Sequence, residues 1–221
     1  MTSPRIVLLD LDGTLVDANE AIVDGVLALA AEAGLKVPDR AWAMDRIGQP
    51  PDGTWELLGA DDPAAMSARF VEQYVPLLPA RTRILPGVVA ALEALASFGA
   101  TLAVATSRTT GAAEHTLQAL DLAQHFSEVC GRDLVPAPKP APELLLLALD
   151  RLDARPEEAL MIGDSDADVL AARAAGVRCW AVLGGVCDEA TLRKAGPERI
   201  LPQGMAEVPA TWRSTTWSSV P

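Results

Sequence analysis

The chain has 221 residues, which is long for one domain and short for two, so we expect one core with a sizeable insertion. Half of the residues are apolar, enough to build that core. The 18 basic and 30 acidic side chains give a formal charge of -12, and such an acidic surface repels nucleic-acid phosphates and anionic lipid headgroups. The composition therefore predicts neither a nucleic-acid partner nor a membrane partner.

Cysteine usage and the start of the chain indicate the compartment. Cys130, Cys179 and Cys187 lack the CxxC or Cys/His spacing of a zinc site, and their odd number argues against a disulfide framework. The first apolar run reaches Asp10 after a few residues, too short for a signal peptide or a membrane span. We expect a soluble, cytoplasmic protein. At the other end, residues 212–221 are polar and aperiodic, which predicts a flexible tail, although Trp212 and Trp217 could dock on the body.

The first predicted strand, residues 6–9, runs directly into the sequence DLDGTLVD, which begins at Asp10. Asp10 and Asp12 are separated by one residue at the strand end, and Gly13 allows a turn, so both carboxylates can face one cleft. One acid could then bind a metal and attack a substrate while the other transfers protons. Alternatively, the two acids only solvate a strand end and cap the next helix.

Residues 17–83 carry helical patterns without a convincing strand. Helices are predicted at 18–33, ending at Gly34, and at 63–75, with Asp62 as the cap. An insertion that follows the first strand is anchored above the carboxyl end of that strand, where open α/β sheets bind ligands. We therefore predict a helical cap over the binding edge of the sheet.

The segment 46–53 is the part of this cap that looks most like a loop. Arg46 and Gln49 could meet a carboxylate or a hydroxyl of the leaving group, although Arg46 is equally well explained as a solvated helix end. Trp42 and Trp55 flank the segment and are interpreted as packing residues rather than a stacking site.

From residue 84 onward, strands alternate with helices. Helices are predicted between Gly87 and Gly99 and at 111–120, 143–152 and 168–175. Further strands are predicted at 102–105, 160–162 and 179–183. This alternation predicts an α/β fold with a parallel sheet and right-handed crossovers.

Two further positions in this half could bind an anion. The strand at 102–105 closes with Thr106, Ser107 and Arg108 where a helix begins, and helix starts offer free N–H groups; serine and threonine also cap helices without any ligand. Lys139, between prolines in PKPAPE, has a fixed backbone just ahead of a helix. A lysine with a fixed backbone indicates that its charge neutralises a nearby negative group. The alternative is that Lys139 is a solvated surface charge.

The strand at 160–162 leads into the acidic sequence GDSDAD. Asp164 stands at the strand end and Asp168 opens the next helix, so both carboxylates can face one cleft. Oxygen ligands of this kind suit Mg²⁺. Asp166 could equally be a helix N-cap, and acidic residues are favoured at a helix N-terminus even without a metal.

Together, DxDGT at Asp10, the hydroxyl of Thr106, Lys139 and the acidic sequence from Asp164 resemble the four motifs of the haloacid dehalogenase superfamily, in the same order. The resemblance covers residues 6 to about 184. It implies a Rossmann-like core formed by residues 1–16 and 84–211, with 17–83 as an α-helical cap of the first subclass.

By this resemblance, Asp10 is the nucleophile and a metal ligand, and Asp12 is the general acid and base. Thr106 is expected to hold a phosphoryl oxygen, and Lys139 to balance the charge of Asp10 and the phosphoryl group. The implied cofactor is Mg²⁺, bound directly by Asp164.

The resemblance leaves the remaining ligands less defined. Asp168 is either a second direct ligand or an outer-shell group, and the backbone carbonyl of Asp12 is a further candidate ligand. The residues expected to bind substrate are Ser107, Arg108, Arg46 and Gln49.

Asp12 also indicates the reaction class. The dehalogenases that name the superfamily lack an acid two residues after the nucleophile, because an expelled halide needs no proton. Asp12 therefore favours phosphate chemistry. DGTLVD, TSR and KPAPE are similar to the phosphoglycolate phosphatase group, which implies a small phosphorylated metabolite as substrate. The rival is a beta-phosphoglucomutase, whose cap carries a histidine soon after the first motif; residues 18–24 contain none, and His115 and His125 lie in the core. A non-catalytic phosphate-binding module is a further alternative, although no motif is broken. The oligomeric state stays open.

Overall fold

The computed structural model describes residues 4–47 and 51–217. The chain divides into two compact units: residues up to Val16 together with those from Ile84 form the core unit, and Asp17–Arg83 form the inserted unit. The core unit is discontinuous in sequence because the inserted unit follows its first strand.

The core unit is built on a parallel sheet. The strands described, in chain order, are β1 (Ile6–Leu9), β2 (Val16–Asp17), β3 (Arg83–Ile84), β4 (Thr101–Thr106), β5 (Glu128–Gly131), β6 (Ala159–Gly163), β7 (Arg178–Val182) and β8 (Arg199–Leu201). β2 and β3 pair in a small separate sheet, and the other six form the main sheet in the order β5-β4-β1-β6-β7-β8. All its pairings are parallel, with Leu9 in register with Val104 and Ile162.

Helices cover both faces of the main sheet. In the core unit they are α5 (Val88–Ser97), α6 (Thr110–Ala119), α7 (Glu143–Arg151), α8 (Asp166–Ala175), α9 (Glu189–Ala195) and α10 (Val208–Ser214). Val7 and Leu9 point to one face, under α5, α6 and α10, whereas Ile6 and Leu8 point to the other, under α7, α8 and α9. Because both faces are buried, the strands read as apolar runs rather than as alternating patterns.

The inserted unit is helical and has its own core. Its helices are α1 (Asn19–Glu32), α2 (Arg40–Met44), α3 (Pro51–Leu57) and α4 (Pro63–Gln73). Leu29, Trp55 and Met66 are buried together at its centre. Asp62 caps α4 as expected, since its carboxylate accepts a hydrogen bond from the Ala65 N–H at 3.0 Å.

The segment predicted to be a flexible tail is packed over its described part. Trp212 lies in α10 and is buried, with its ring centroid 4.7 Å from that of Trp217 and 6.2 Å from that of Phe98. The Trp217 ring stacks 5.5 Å from Trp180 of β7. Large aromatic surfaces drive this docking despite the polar residues between them, so the two tryptophans pack on the body and the described part of the segment is not loosely held. Residues 218–221 lie outside the described residues.

The predicted α/β fold class is confirmed, although the short elements were missed. The predicted strands at 6–9, 102–105, 160–162 and 179–183 correspond to β1, β4, β6 and β7 within one or two residues at either end. The sequence gave no prediction of a strand at β5, which begins with a polar residue, or at β8, which has three residues. It gave none of a helix at α2, α3, α9 or α10, which have seven residues or fewer, and α3 makes the segment 46–53, predicted to be loop-like, helical from Pro51. Across residues 4–47 and 51–217, none of the helices has the length and apolar character needed to cross a bilayer.

Candidate active site

Three adjacent strand ends supply the first side chains of the candidate site. β1, β4 and β6 run parallel side by side, so their carboxyl ends lie at the same edge of the sheet. Asp10 follows β1, and its N–H donates to the Ile162 carbonyl oxygen at 3.0 Å. Thr106 closes β4 and Asp164 follows β6. All three side chains are buried, as the strand-end argument requires for a common cleft.

Lys139 reaches these carboxylates from the proline-rich loop before α7. Its buried ammonium donates to Asp10 Oδ1 at 2.7 Å, to Asp168 Oδ1 at 2.5 Å and to the Ala105 carbonyl oxygen at 3.0 Å. Burial alone would lower the pKa of Lys139, but the charges of Asp10 and Asp168 outweigh it and raise the pKa above the ordinary lysine value. Lys139 is therefore a fixed cation whose three N–H donors are all used.

Three buried carboxylates form a cluster around this cation. Among the described residues, Asp10, Asp164 and Asp168 each place one oxygen within 4.8 Å of the others. Burial raises the pKa of Asp10 to about 7, an effect that Lys139 opposes and Asp168 reinforces. Burial, followed by the charge of Asp10, raises the pKa of Asp164 well above its ordinary range. The cluster thus holds more negative charge than one lysine neutralises, and its hard oxygens could hold a small divalent cation.

Two loops fix the Asp164 carboxylate. Thr14 Oγ1 donates to Oδ1 at 3.1 Å, and the Val186 N–H donates to Oδ2 at 2.8 Å. Gly13 has a φ of 78°, and a Cβ added there would lie 2.3 Å from Asp164 Oδ2. A Cβ added to Gly185 would lie 1.9 Å from the same oxygen. Both positions therefore require glycine, and the Gly-Gly sequence after β7 was the overlooked sign of this close approach.

Asp168 is tied to the start of its own helix. Its Oδ2 accepts from the Ser165 N–H at 3.1 Å and from Ser165 Oγ at 2.6 Å, while its own N–H donates to Ser165 Oγ at 3.2 Å. Ser165 is the N-cap of α8, so Asp166, which the sequence offered for that place, is instead the first helical residue and is exposed. This reciprocal cap leaves Oδ1 of Asp168 to the ammonium of Lys139.

Asp12 makes a different set of contacts. Its side chain lies outside the carboxylate cluster and pairs with Arg108, whose Nε donates to Oδ2 at 2.6 Å and whose Nη2 donates to Oδ1 at 2.5 Å. Arg108 was predicted to bind substrate; in the structure its guanidinium holds the predicted general acid and base. The partners are 96 positions apart in sequence, and no local pattern indicates such a pair.

The hydroxyls after β4 differ in their exposure. Thr106 is buried, and its Oγ1 accepts from the Arg108 N–H at 3.1 Å, which shapes the turn into α6. Ser107 is exposed at the same strand end. The two residues therefore lie at the predicted edge of the sheet, and phosphoryl contacts by either remain predictions.

The predicted substrate residues of the inserted unit are described only in part. The Arg46 guanidinium lies 5.3 Å from the centre of the Trp42 ring, and Nη2 is 3.5 Å from Asp45 Oδ2. Gln49 lies outside the described residues. Trp55 is buried in the core of the inserted unit, which agrees with its interpretation as a packing residue.

The comparisons with known proteins identify the family of the chain. A family model for haloacid dehalogenase-like hydrolases matches residues 7–182. A relative from Dickeya dadantii, described as a probable phosphatase, IndB, is 35% identical over 89% of this chain and 88% of its own length. A phosphoglycolate phosphatase from Rhodospirillum rubrum is 36% identical over 79% of this chain and 77% of its own length.

The fold has a solved counterpart as well. The structure of a haloacid dehalogenase-like family hydrolase from Streptococcus pneumoniae superimposes with a TM-score of 0.86 at 26% identity, covering 96% of this chain and all of that one. Sequence motifs, sheet order and relatives therefore agree. The chain belongs to the haloacid dehalogenase-like hydrolase family, and the resemblance found in its motifs is confirmed.

Proposed function

We propose that this hydrolase is a Mg²⁺-dependent phosphatase that cleaves a small phosphate monoester through an aspartyl-phosphate formed on Asp10. The observation that carries the proposal is the 2.7 Å contact between the Lys139 ammonium and Asp10 Oδ1 inside a buried cluster with Asp164 and Asp168. A phosphate monoester repels an anionic nucleophile, so a site for it needs fixed positive charge beside the attacking carboxylate.

The donor set fits Mg²⁺. The cluster offers buried carboxylate oxygens within 4.8 Å of one another, and burial raises the pKa values of Asp10 and Asp164, so a bound cation would favour their ionised forms. We propose Asp10 and Asp164 as direct ligands, with the Asp12 carbonyl as a further candidate. The bonds of Asp168 to Lys139 and Ser165 support an outer-shell role for this residue. When bound, the ion would neutralise charge and polarise a phosphoryl oxygen.

The chain's own residues would then divide the reaction into two displacements. Asp10 attacks phosphorus and forms the acyl-phosphate, while Lys139 balances the charge of the nucleophile and the phosphoryl group. Asp12 gives a proton to the leaving oxygen and later takes one from the incoming water. Thr106 and neighbouring N–H groups would hold the phosphoryl oxygens. A covalent intermediate of this kind replaces one difficult displacement with two easier ones.

Substrate class is inferred from the relatives and the inserted unit. Relatives named phosphoglycolate phosphatase support a small, acidic phosphate ester, and we propose the inserted unit as the cap that selects it, with Ser107, Arg46 and Gln49 as candidate contacts. The free thiols of the three cysteines support a cytoplasmic location. Residues 18–24 contain no histidine, which supports water rather than a second sugar hydroxyl as the acceptor.

The test of this proposal is the product. We expect inorganic phosphate as the main product from both 2-phosphoglycolate and beta-glucose 1-phosphate, because residues 18–24 lack the histidine expected of a mutase, and we expect faster release from 2-phosphoglycolate, because relatives carry its name. Phosphate and glucose 6-phosphate are measured in parallel reactions. Glucose 6-phosphate formed faster than phosphate would show a mutase, and no product from either ester would favour a non-catalytic module.

Magnesium should also stabilise the fold in a pH-dependent manner. The raised pKa of Asp10, about 7, contributes stability that is present below pH ~4 and is lost as the pH rises through 7, because the buried site disfavours the ionised form. Metal binding needs that ionised form, so the Mg²⁺-induced rise in Tm should grow over the same window. At about 100 times Kd the gain is about 2.7 kcal/mol, which is roughly 5 to 10 °C for a chain of this size.

Thermal melts with and without Mg²⁺ between about pH 5 and pH 8 measure this shift. Asp164→Asn should abolish it, whereas Asp166→Asn should keep it, because Asp166 belongs to the same acidic motif but is exposed. A shift that is equal at all pH values, or that survives Asp164→Asn, would place the metal elsewhere.

A further inference from the structure

The pair between Asp12 and Arg108 is a two-bond ion pair within the core unit. Two N–H groups of the guanidinium meet the two carboxylate oxygens at 2.6 and 2.5 Å, which is the parallel, bidentate geometry that gives such pairs directional strength. The Arg108 side chain is 10% exposed and that of Asp12 is 21% exposed. Little water therefore competes for either group.

Arg108 is itself held at both ends of its side chain. Its N–H donates to Thr106 Oγ1 at 3.1 Å, which fixes the backbone after β4. Its Nη1 donates to Thr116 Oγ1 at 2.9 Å, and Thr116 in turn donates to the Ala112 carbonyl oxygen of α6 at 3.0 Å. Arg108 is thus held by hydrogen bonds to Thr106 at the end of β4 and to Thr116 in α6.

These contacts fix the plane of the Asp12 carboxylate and leave part of its hydrogen-bonding capacity unused. Each carboxylate oxygen has two lone pairs, and the bidentate pair uses one on each oxygen, so one per oxygen is left for a proton-transfer partner. A group that transfers protons must lie within about 2.6 to 3.2 Å of its partner, and a displacement of about 1 Å costs on the order of 10²-fold in rate. A short aspartate side chain that was unsupported would rotate among several rotamers.

We propose that Arg108 is a positioning residue that holds the Asp12 carboxylate at the angle needed for proton transfer. This inference rests on the proposed function, because it assigns to Asp12 the proton-transfer role. Arg108 acts through Asp12, and Thr116 supports it from α6. The pair takes both oxygens of Asp12 and the Thr116 contact takes a third guanidinium N–H group, so the geometry favours positioning of Asp12 over capture of a substrate carboxylate.

The test is a double-mutant cycle between Arg108→Ala and Asp12→Asn, with kcat and KM measured for p-nitrophenyl phosphate and for 2-phosphoglycolate. Arg108→Ala should lower kcat about 10²-fold for both esters and leave KM nearly unchanged. In the Asp12→Asn background the same substitution should lower kcat no further, because the residue it positions no longer transfers protons. Millimolar guanidinium should restore part of the kcat of Arg108→Ala and none of that of the double variant.

Arg178→Ala is the matched control. Arg178 forms a similar two-bond pair with Glu198, at 2.7 and 2.6 Å, but it begins β7 and so lies at the opposite edge of the sheet. We expect a lower Tm and an unchanged kcat. An Arg108→Ala effect that adds fully to that of Asp12→Asn would overturn the positioning role. A rise in KM confined to 2-phosphoglycolate would overturn it in favour of substrate binding.

The outcomes for the two proposals are distinguishable. If the wild-type enzyme releases no phosphate, the proposed function fails and the positioning role fails with it. Additivity of the two kcat effects in an active wild-type enzyme refutes only the positioning role. The Tm values of wild type, the two single variants and the double variant report the ion pair independently of activity. If the two side chains interact, the double variant loses less stability than the two single variants lose in sum. Coupling in Tm without coupling in kcat would make the pair structural and would also overturn the proposal.

Discussion

Asp10→Asn should fold, and its turnover of p-nitrophenyl phosphate should fall by about 10⁴-fold or more, which is the usual rate loss when a covalent nucleophile is removed. The amide cannot form the acyl-phosphate, although it fills the same space and can still accept a hydrogen bond from Lys139. Burial raises the pKa of Asp10 to about 7, so ionised Asp10 is unfavourable in the metal-free fold above that pH. The variant should therefore melt no lower than wild type at about pH 8 without metal.

Acid quenching followed by peptide mass analysis tests the assignment directly. Wild-type enzyme mixed with substrate should carry one phosphoryl group on the peptide that contains Asp10, and Asp10→Asn should carry none. Asp166→Asn is the control, since it removes an exposed carboxylate from the second acidic motif and should leave both rate and labelling intact. Wild-type turnover by Asp10→Asn, or a phosphoryl group on another residue, would contradict the assignment.

Lys139→Met should reduce kcat by about 10²- to 10³-fold, which corresponds to the roughly 3 to 4 kcal/mol that one charge-stabilising donor supplies in such sites. It should also destabilise the fold by about 3 to 5 kcal/mol near neutral pH, because Asp10 and Asp168 would lose a buried partner. Lys139 lowers the pKa of Asp10, so without the cation Asp10 becomes neutral at higher pH and part of the lost stability should return as the pH falls. Activity should not return with it.

Two further variants separate charge from packing at this position. Lys139→Arg keeps the charge and should recover most of the stability but little of the rate, because a planar guanidinium cannot reproduce the three contacts of the ammonium. Lys194→Met removes an exposed lysine from α9 and should change neither quantity. A stability loss by Lys139→Met that is independent of pH, or a wild-type rate, would contradict a role through charge.

Much of the candidate site could be predicted because its residues directly follow short apolar segments that are recognisable as strands. Asp10, Thr106 and Asp164 each follow an apolar run, and parallel strands bring their ends to one edge. Lys139 was identified by the prolines that fix its backbone. The contacts of Arg108, Val186 and the glycines could not be predicted in this way, since they depend on how loops far apart in sequence approach each other.

The fold shows the same division between local and long-range information. Strands with four or more buried residues in sequence were predicted from apolar runs, as β1, β4, β6 and β7 show. β5 begins with the polar Glu128 and β8 has three residues, so their strand state comes from pairing with β4 and β7 rather than from their own sequence. The docking of Trp212 likewise depends on Trp180 and Phe98, which no window around residue 212 contains.

The discontinuous core has a consequence for the newly made chain as it leaves the ribosome. Asp17–Arg83 form a compact unit from one continuous stretch, so all its internal contacts are available once that stretch has emerged. β1 emerges first but must wait for β4 and β6, because Leu9 pairs with Val104 and Ile162. Trp212 and Trp217 close the same core from the other end of the chain. During synthesis β1, the strand that leads to Asp10, therefore stays unpaired long after the inserted unit can fold, and both of its edges are open to association with other chains in that interval.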